Sequence, residues 1–266
     1  MATFKPGVLW LLILAIAFPQ TAFALSTQVD LTFTIAPSTG NVRLRGDAFP
    51  GALVTIRKDR AVIATTTANS HSAFEKTITG LSPGMAAFSL YANDSRGSKT
   101  ATTSFSVDVI KGSTVQVSGI FLSPTLLLPE RIKRPERLTQ SGFTKQDSTV
   151  TTITLSEPIS KITTADKNGA WSLTLNEVLH LGGHTVTALA QDENGALSAQ
   201  TNPVEFFVER SADLNVDHAV DMADFSVLME NYSEHPPENL AADINDDGPV
   251  DLTDFSMMMY EWTGRI

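Results

Sequence analysis

Apolar and polar positions alternate in short runs through most of the chain. Val29–Ile35, Val54–Arg57, Ala86–Ala92 and Thr102–Val109 alternate or cluster β-formers, and Gly, Pro, Asn and Asp punctuate the runs at short intervals. That period of two predicts many short antiparallel strands. Two stretches break it. Near the front, Lys5 precedes an eleven-residue apolar run, Val8 to Phe18, and Ala22-Phe23-Ala24 follows. This is the pattern of a secretory signal peptide over residues 1–24, with a mature start at Leu25. An uncleaved anchor is the alternative, although a membrane-spanning helix needs about 20 apolar residues. At the far end the period becomes helical. Phe225, Leu228, Met229 and Tyr232 fall at i, i+3, i+4 and i+7, and Phe255, Met258, Met259 and Trp262 repeat the stripe. Each stripe predicts a helix that buries one face, most economically against the other.

The strand-rich region is duplicated. Thr65–Ile78 (TTTANSHSAFEKTI) aligns with Ile162–Leu175 (ITTADKNGAWSLTL), which matches Phe74 to Trp171. Ser89–Gly97 then aligns with Thr187–Gly195 after one added residue. A period near 97 residues is the length of one β-sandwich domain. The irregular stretch Ser123–Gly142, with Pro124, Pro129 and Pro135, marks the boundary region. The segments Pro50-Gly51 to Ile56 (PGALVTI) and Asp166 to Trp171 (DKNGAW) resemble those of bacterial immunoglobulin-like modules. The expected fold is therefore mainly β. It has two tandem immunoglobulin-like β-sandwiches, over 25–121 and 122–210, and a small helical module over 211–266.

Charge separates the last segment from the rest. Residues 211–266 hold thirteen Asp or Glu and one Lys or Arg, whereas residues 25–210 hold sixteen against seventeen. So acidic a chain is not a nucleic-acid binder. Arg131, Lys133, Arg134 and Arg137 form a short basic cluster that reads as a solvated linker face. The chain has no cysteine, which excludes disulfides, thiolate metal sites and a cysteine nucleophile.

The acidity follows a pattern. Residues 213–224 read DLNVDHAVDMAD and residues 243–254 read DINDDGPVDLTD, each followed by Phe-Ser. Calcium takes oxygen ligands from positions 1, 3, 5, 7 (a backbone carbonyl), 9 and 12 of such a twelve-residue loop. The first loop offers Asp213, Asn215, Asp217, the Ala219 carbonyl, Asp221 and Asp224; the second offers Asp243, Asn245, Asp247, the Pro249 carbonyl, Asp251 and Asp254. Two calcium ions are expected. Position 6, at a sharp turn, is Gly248 in one loop and His218 in the other, which predicts that the second site binds better. Val220 and Val250, at position 8, are placed to tie the loops together.

A duplicated calcium loop ending in Asp, each copy leading into one helix, resembles the dockerin family; Ala242 to Ser256 (ADINDDGPVDLTDFS) is close to that family's wording. The resemblance covers roughly residues 211–263. It implies a fold built around two calcium ions, ligated by the residues named above, and docking to a cohesin-type domain of a scaffold or surface protein. Met222-Ala223 and Leu252-Thr253 stand where well-known members carry a Ser-Thr recognition pair.

No G-x-S-x-G elbow, H-E-x-x-H helix or phosphate-binding glycine loop is present in the sequence. Gly182-Gly183 interrupts His180 and His184, so the pair does not read as a metal site, and Asp59, Asp94, Asp166 and Asp192 fall at turns. The expectation is a non-catalytic, secreted or cell-surface modular protein that docks through its calcium module, in a polysaccharide-degrading assembly on one reading. A structural or adhesive surface protein, in which calcium only rigidifies the last module, is the alternative. A glycan platform at Phe74 or Trp171 is the third reading, against which their matched repeat position argues.

Overall fold

The computed structural model describes residues 39–156 and 158–264. The expected signal peptide and the strand expected at Val29–Ile35 lie outside the described residues. Within them the chain is mainly β, with two α-helices near the far end.

Seven strands come first: β1 (Gly40–Asp47), β2 (Leu53–Lys58), β3 (Ala61–Thr67), β4 (Ala73–Leu81), β5 (Gly84–Asn93), β6 (Thr103–Val109) and β7 (Thr114–Phe121). They form two sheets. One has the order β4-β1-β7, with β7 parallel to β1; the other, β3-β2-β5-β6, is antiparallel throughout. Val42 and Leu44 of β1, Val54 and Ile56 of β2, and Phe88 and Leu90 of β5 are buried at alternate positions. The period of two thus becomes one apolar face per sheet, and both faces feed a single core.

Seven more strands follow: β8 (Arg131–Lys133), β9 (Thr139–Phe143), β10 (Thr149–Thr154), β11 (Ile159–Thr164), β12 (Ala170–Thr174), β13 (Gly182–Gln191) and β14 (Val204–Glu209). The order β11-β10-β13-β14 repeats β3-β2-β5-β6, and the pair β12-β9 repeats β4-β1. The duplication read from the sequence therefore recurs as a duplicated strand order. β8 extends the larger sheet by pairing in parallel with β14. Val150, Trp171, Val186, Phe206 and Val208 lie in a second buried cluster.

Phe74 and Trp171 hold matching places in these two cores, each only 3% exposed. Each ring lies across from a glycine in register, Phe74 from Gly46 and Trp171 from Gly142. A Cβ on Gly46 would come within 2.8 Å of the Phe74 ring, and one on Gly142 within 2.7 Å of Trp171. Both rings are core residues, which removes them as glycan platforms.

The two β cores meet around Lys145, whose ammonium lies 2.9 Å from Asp47 Oδ2 and 3.1 Å from Asp192 Oδ2. Thr125 Oγ1 donates to Asp94 Oδ2 across the same region at 2.9 Å, and Phe49 packs on Phe143. Asp94, Asp166 and Asp192 act as turn residues: one carboxylate oxygen of each accepts backbone N–H groups two and four residues on.

After β14 come α1 (Met222–Glu230), a single 3-10 turn at Leu240–Ala242 and α2 (Leu252–Glu261). Leu214, Val220, Leu228, Ile244, Val250 and Met258 are buried together here, with Val178 of the preceding β region packed against them. Among the described residues no helix is long and apolar enough to cross a membrane.

Candidate metal centre

Each predicted loop runs directly into a helix, and the two loops repeat the same hydrogen bonds. In the first, Asp213 Oδ1 accepts from Asp217 N and Oδ2 from His218 N, while Asn215 Oδ1 also accepts from Asp217 N. In the second, Asp243 accepts from Asp247 N and Gly248 N, and Asn245 Oδ1 from Asp247 N. Asn215 Nδ2 donates to Asp217 Oδ2 at 2.9 Å, and Asn245 Nδ2 to Asp247 Oδ2 at 2.7 Å. One bond is not shared. Ala219 N donates to Asp217 Oδ1, whereas Pro249, at the same place, has no N–H to give.

The residues at position 12 explain why Asp suffices there. Asp224 Oδ1 accepts from Leu214 N at 2.7 Å and Asn215 N at 3.2 Å, and its Oδ2 accepts from Asp221 N at 2.8 Å. Asp254 makes the same three bonds with Ile244 N, Asn245 N and Asp251 N. A short side chain thereby pins the start of its loop to the start of its helix. Asp221 and Asp251 cap those helices, accepting from Ala223 N and Thr253 N, and each forms a capping box with the position-12 residue. The Thr253 N–H holds the Asp251 carboxyl below the usual carboxylate range.

A metal fits this chemistry. One oxygen each of Asp213, Asp217 and Asp224 lie within 4.8 Å of one another, and no second such trio of side chains occurs among the described residues. Asp224 and Asp254 are fully buried carboxylates. No ion pair among the described residues involves Asp213, Asp217, Asp224, Asp243, Asp247 or Asp254. Buried anions without a cationic side chain are costly, and an all-oxygen donor set suits a hard divalent cation. Asn215, Asn245 and the carbonyls of Ala219 and Pro249 stand at the remaining predicted positions.

The loops differ in backbone strain and surroundings. Position 6 is left-handed in both, with His218 at φ +71° and Gly248 at φ +115°. A Cβ at 248 would also meet the His235 ring at 2.8 Å. Position 4 is left-handed too, as Val216 and Asp246, each at φ +61°. Asp tolerates that region, whereas a β-branched valine is strained in it. The second loop is therefore the better-suited backbone, although the trio of gathered carboxylates belongs to the first.

Three expectations gain detail or meet a different arrangement. Val220 and Val250 do share one buried apolar cluster, and hydrogen bonds add a second tie. Val220 exchanges hydrogen bonds with Thr263 beyond α2, and Val250 with Ser233 and Glu234 beyond α1, so each loop binds the exit of the other loop's helix. The apolar stripes are only half buried. Leu228 and Met258 are enclosed and Phe225 packs on Phe255, but Met229, Tyr232 and Met259 are exposed. Finally, Arg134 is not solvated; it is 2% exposed and donates to the Asp243 carbonyl and the Asp246 carboxylate. Its contacts were invisible in the sequence, where the only signal is a basic residue inside a proline-flanked cluster.

Asp246 gathers several donors. Leu181 N donates to its Oδ2 at 3.0 Å, and His180 Nδ1 lies 3.1 Å from its Oδ1. Burial pushes the Asp246 carboxyl up, but these hydrogen bonds and the Arg134 charge outweigh it and hold the group below its usual range. His184 is buried against Phe206, with Nε2 2.8 Å from the His180 carbonyl.

No protein-family model matches the chain, and no curated protein matches it. Among solved structures, the fibronectin(III)-like modules of Clostridium thermocellum CbhA are 18% identical, over 65% of this chain and 90% of that one, with a TM-score of 0.26. A tetra-tandem repeat from the extending region of a large adhesion protein is 18% identical over 68% and 54%, at 0.26. The calcium-stabilised adhesin with which an Antarctic bacterium reaches out and binds ice is 14% identical over 66% and 51%, at 0.24. Likenesses this weak imply neither shared ancestry nor shared function.

Proposed function

We propose that this is a non-catalytic, exported modular protein whose last segment, 211–266, is a dockerin-like module that binds two calcium ions and docks a cohesin-type partner. Two immunoglobulin-like sandwiches, over 25–121 and 122–210, hold that module at a cell surface or outside the cell. The observation that carries the calcium reading is the repeated loop geometry: the hydrogen bonds common to both loops, buried Asp224 and Asp254, and three converging carboxylates in the first loop that form no ion pair among the described residues. Calcium supplies charge neutralisation there and joins the start of each loop to its helix. Binding that favours only the folded state stabilises by about 2.7 kcal/mol at a hundredfold excess of ligand over Kd. For so small an apolar core that increment decides whether the segment folds.

Docking is supported by what the helices leave outside. Met222 and Leu252 stand at equivalent places and are each more than half exposed, and Met229 and Met259 are each a little under half exposed. Paired, flexible apolar side chains suit an adaptable protein-binding face. A polysaccharide-degrading assembly is one setting for such a contact. The second reading, a calcium clamp that merely rigidifies the chain, is favoured by the grip of Arg134 on the second loop. The full chain, immobilised and exposed to an extract of the source cells, separates the two. A protein retained with calcium and released by chelator supports docking; a calcium-loaded, folded chain that retains nothing supports the clamp.

A further inference from the structure

The second loop is gripped by the second β core at the residues that bracket its first ligands. Arg134 follows β8, and its own N–H donates to the Glu209 carbonyl at the end of β14, so its backbone is fixed to the sheet. Its guanidinium reaches outward in two directions, Nη1 donating to Asp243 O at 3.1 Å and Nη2 to Asp246 Oδ1 at 2.9 Å. Leu181 N, just before β13, takes the other oxygen of Asp246. Among the described residues, no side chain of the β core makes a hydrogen bond to the first loop at the equivalent place. Val216 there is 40% exposed and borders a cleft of about 490 Å³, which also touches Lys133, Glu136, His218 and Glu261.

The grip depends on the loop's shape. Arg134 can hold Asp243 O and the Asp246 carboxylate together only while the loop keeps them at that spacing. An empty second loop places the charges of Asp243, Asp247, Asp251 and Asp254 against one another with no cation between them, which favours opening. Opening would break both of these bonds from a buried guanidinium, a costly loss. Contacts of this kind between neighbouring units are otherwise mobile by default.

We infer that the second calcium loop is the joint between the helical segment and the second β core, and that calcium there, not in the first loop, locks the joint through Arg134. This rests on the calcium reading proposed above. It makes the direction in which the module points, and not only its fold, a function of calcium.

Backbone amide relaxation on the full chain tests it, comparing the apparent tumbling of residues 211–264 with that of the β cores. Calorimetry first counts bound calcium; a chain that binds none overturns the calcium reading and the joint with it. With calcium, the two regions of the unsubstituted chain should tumble as one. Asp243→Ala should free the helical segment, shortening its tumbling time to roughly half that of the β cores, as for an independently moving unit; Asp213→Ala should not. Arg134→Gln and Asp246→Asn should free it while both calcium ions remain bound and the helical signal is intact. Asp246→Asn acts from the module's side, keeps a residue tolerant of positive φ and leaves the β core untouched. Equal loosening by Asp213→Ala and Asp243→Ala, or joint tumbling in both clamp variants, would contradict the joint while leaving the calcium reading standing.

Discussion

The two loops share all but one of their internal hydrogen bonds but not their surroundings. Loop one gathers three carboxylates around an open edge, with Val216 and His218 forced into left-handed backbone. Loop two meets the same backbone demands with Asp246 and Gly248, and its first residues are held from outside by Arg134 and Leu181. On the calcium reading proposed above, the shared donor pattern selects the ion. The backbone and neighbours decide how firmly, and what the binding does.

Four experiments break or sharpen that contrast. The most direct contrast comes from removing the first ligand of each loop. Asp243→Ala should cost more calcium affinity than Asp213→Ala, by about tenfold, or 1.4 kcal/mol; equal losses by calorimetry would erase the difference between the loops. Next, Gly248→Ala should cost the second site about 1–2 kcal/mol from the left-handed backbone alone, with further loss from the approach to the His235 ring at 2.8 Å. The thermal midpoint of the helical signal reads it out. In the opposite sense, His218→Gly should relieve strain in the first loop and raise its affinity by a factor of a few, about 1 kcal/mol or less. Unchanged titration would show that loop one is limited elsewhere, with Val216 the next candidate.

The smallest effect concerns the other joint, at Lys145. Burial works against the lysine's charge, but Asp47 and Asp192 overcome it and hold the ammonium above its ordinary 10.5. Burial likewise pushes Asp192 up, while Lys145 and the turn N–H groups hold it below 3.8. A raised lysine contributes stability that is complete below 10.5 and lost as pH climbs through the higher folded value. A lowered Asp192 contributes above 3.8 and loses its contribution as pH falls through the lower folded value. Melting of the β cores should therefore weaken at both ends, by less than about 1 kcal/mol from this pair. In Lys145→Met the lysine's contribution should vanish and that of Asp192 should shrink to what its turn N–H groups supply. A profile identical to that of the unsubstituted chain would show that the joint is held by packing alone.

Local chemistry was legible in the sequence, and distant pairing was not. Alternation located the strands at Val54–Arg57, Ala86–Ala92 and Thr102–Val109, because a strand with one buried face must alternate. The alignment of Phe74 with Trp171 anticipated the equivalent burial of both rings, but not the glycines across from them, since register between strands leaves no local trace. The two loops stand out in the sequence because Asp or Asn recurs at positions 1, 3, 5, 9 and 12 of both copies. The helical stripes were over-read. Two short helices share a core already supplied by Leu214, Val220, Ile244 and Val250 from the loops, so Met229 and Met259 have nothing left to bury against. Arg134 acts across 109 residues, and nothing near it in the chain foretells its partners.

The measurement that bears most directly on the central claim is far-UV circular dichroism of the full chain, recorded with calcium and then with excess chelator. The helical signal of α1 and α2 should be largely lost on chelation and return with calcium, while the β signal of both cores persists. A spectrum unchanged by chelator would mean that the paired loops fold without an ion, and would contradict the account at its base.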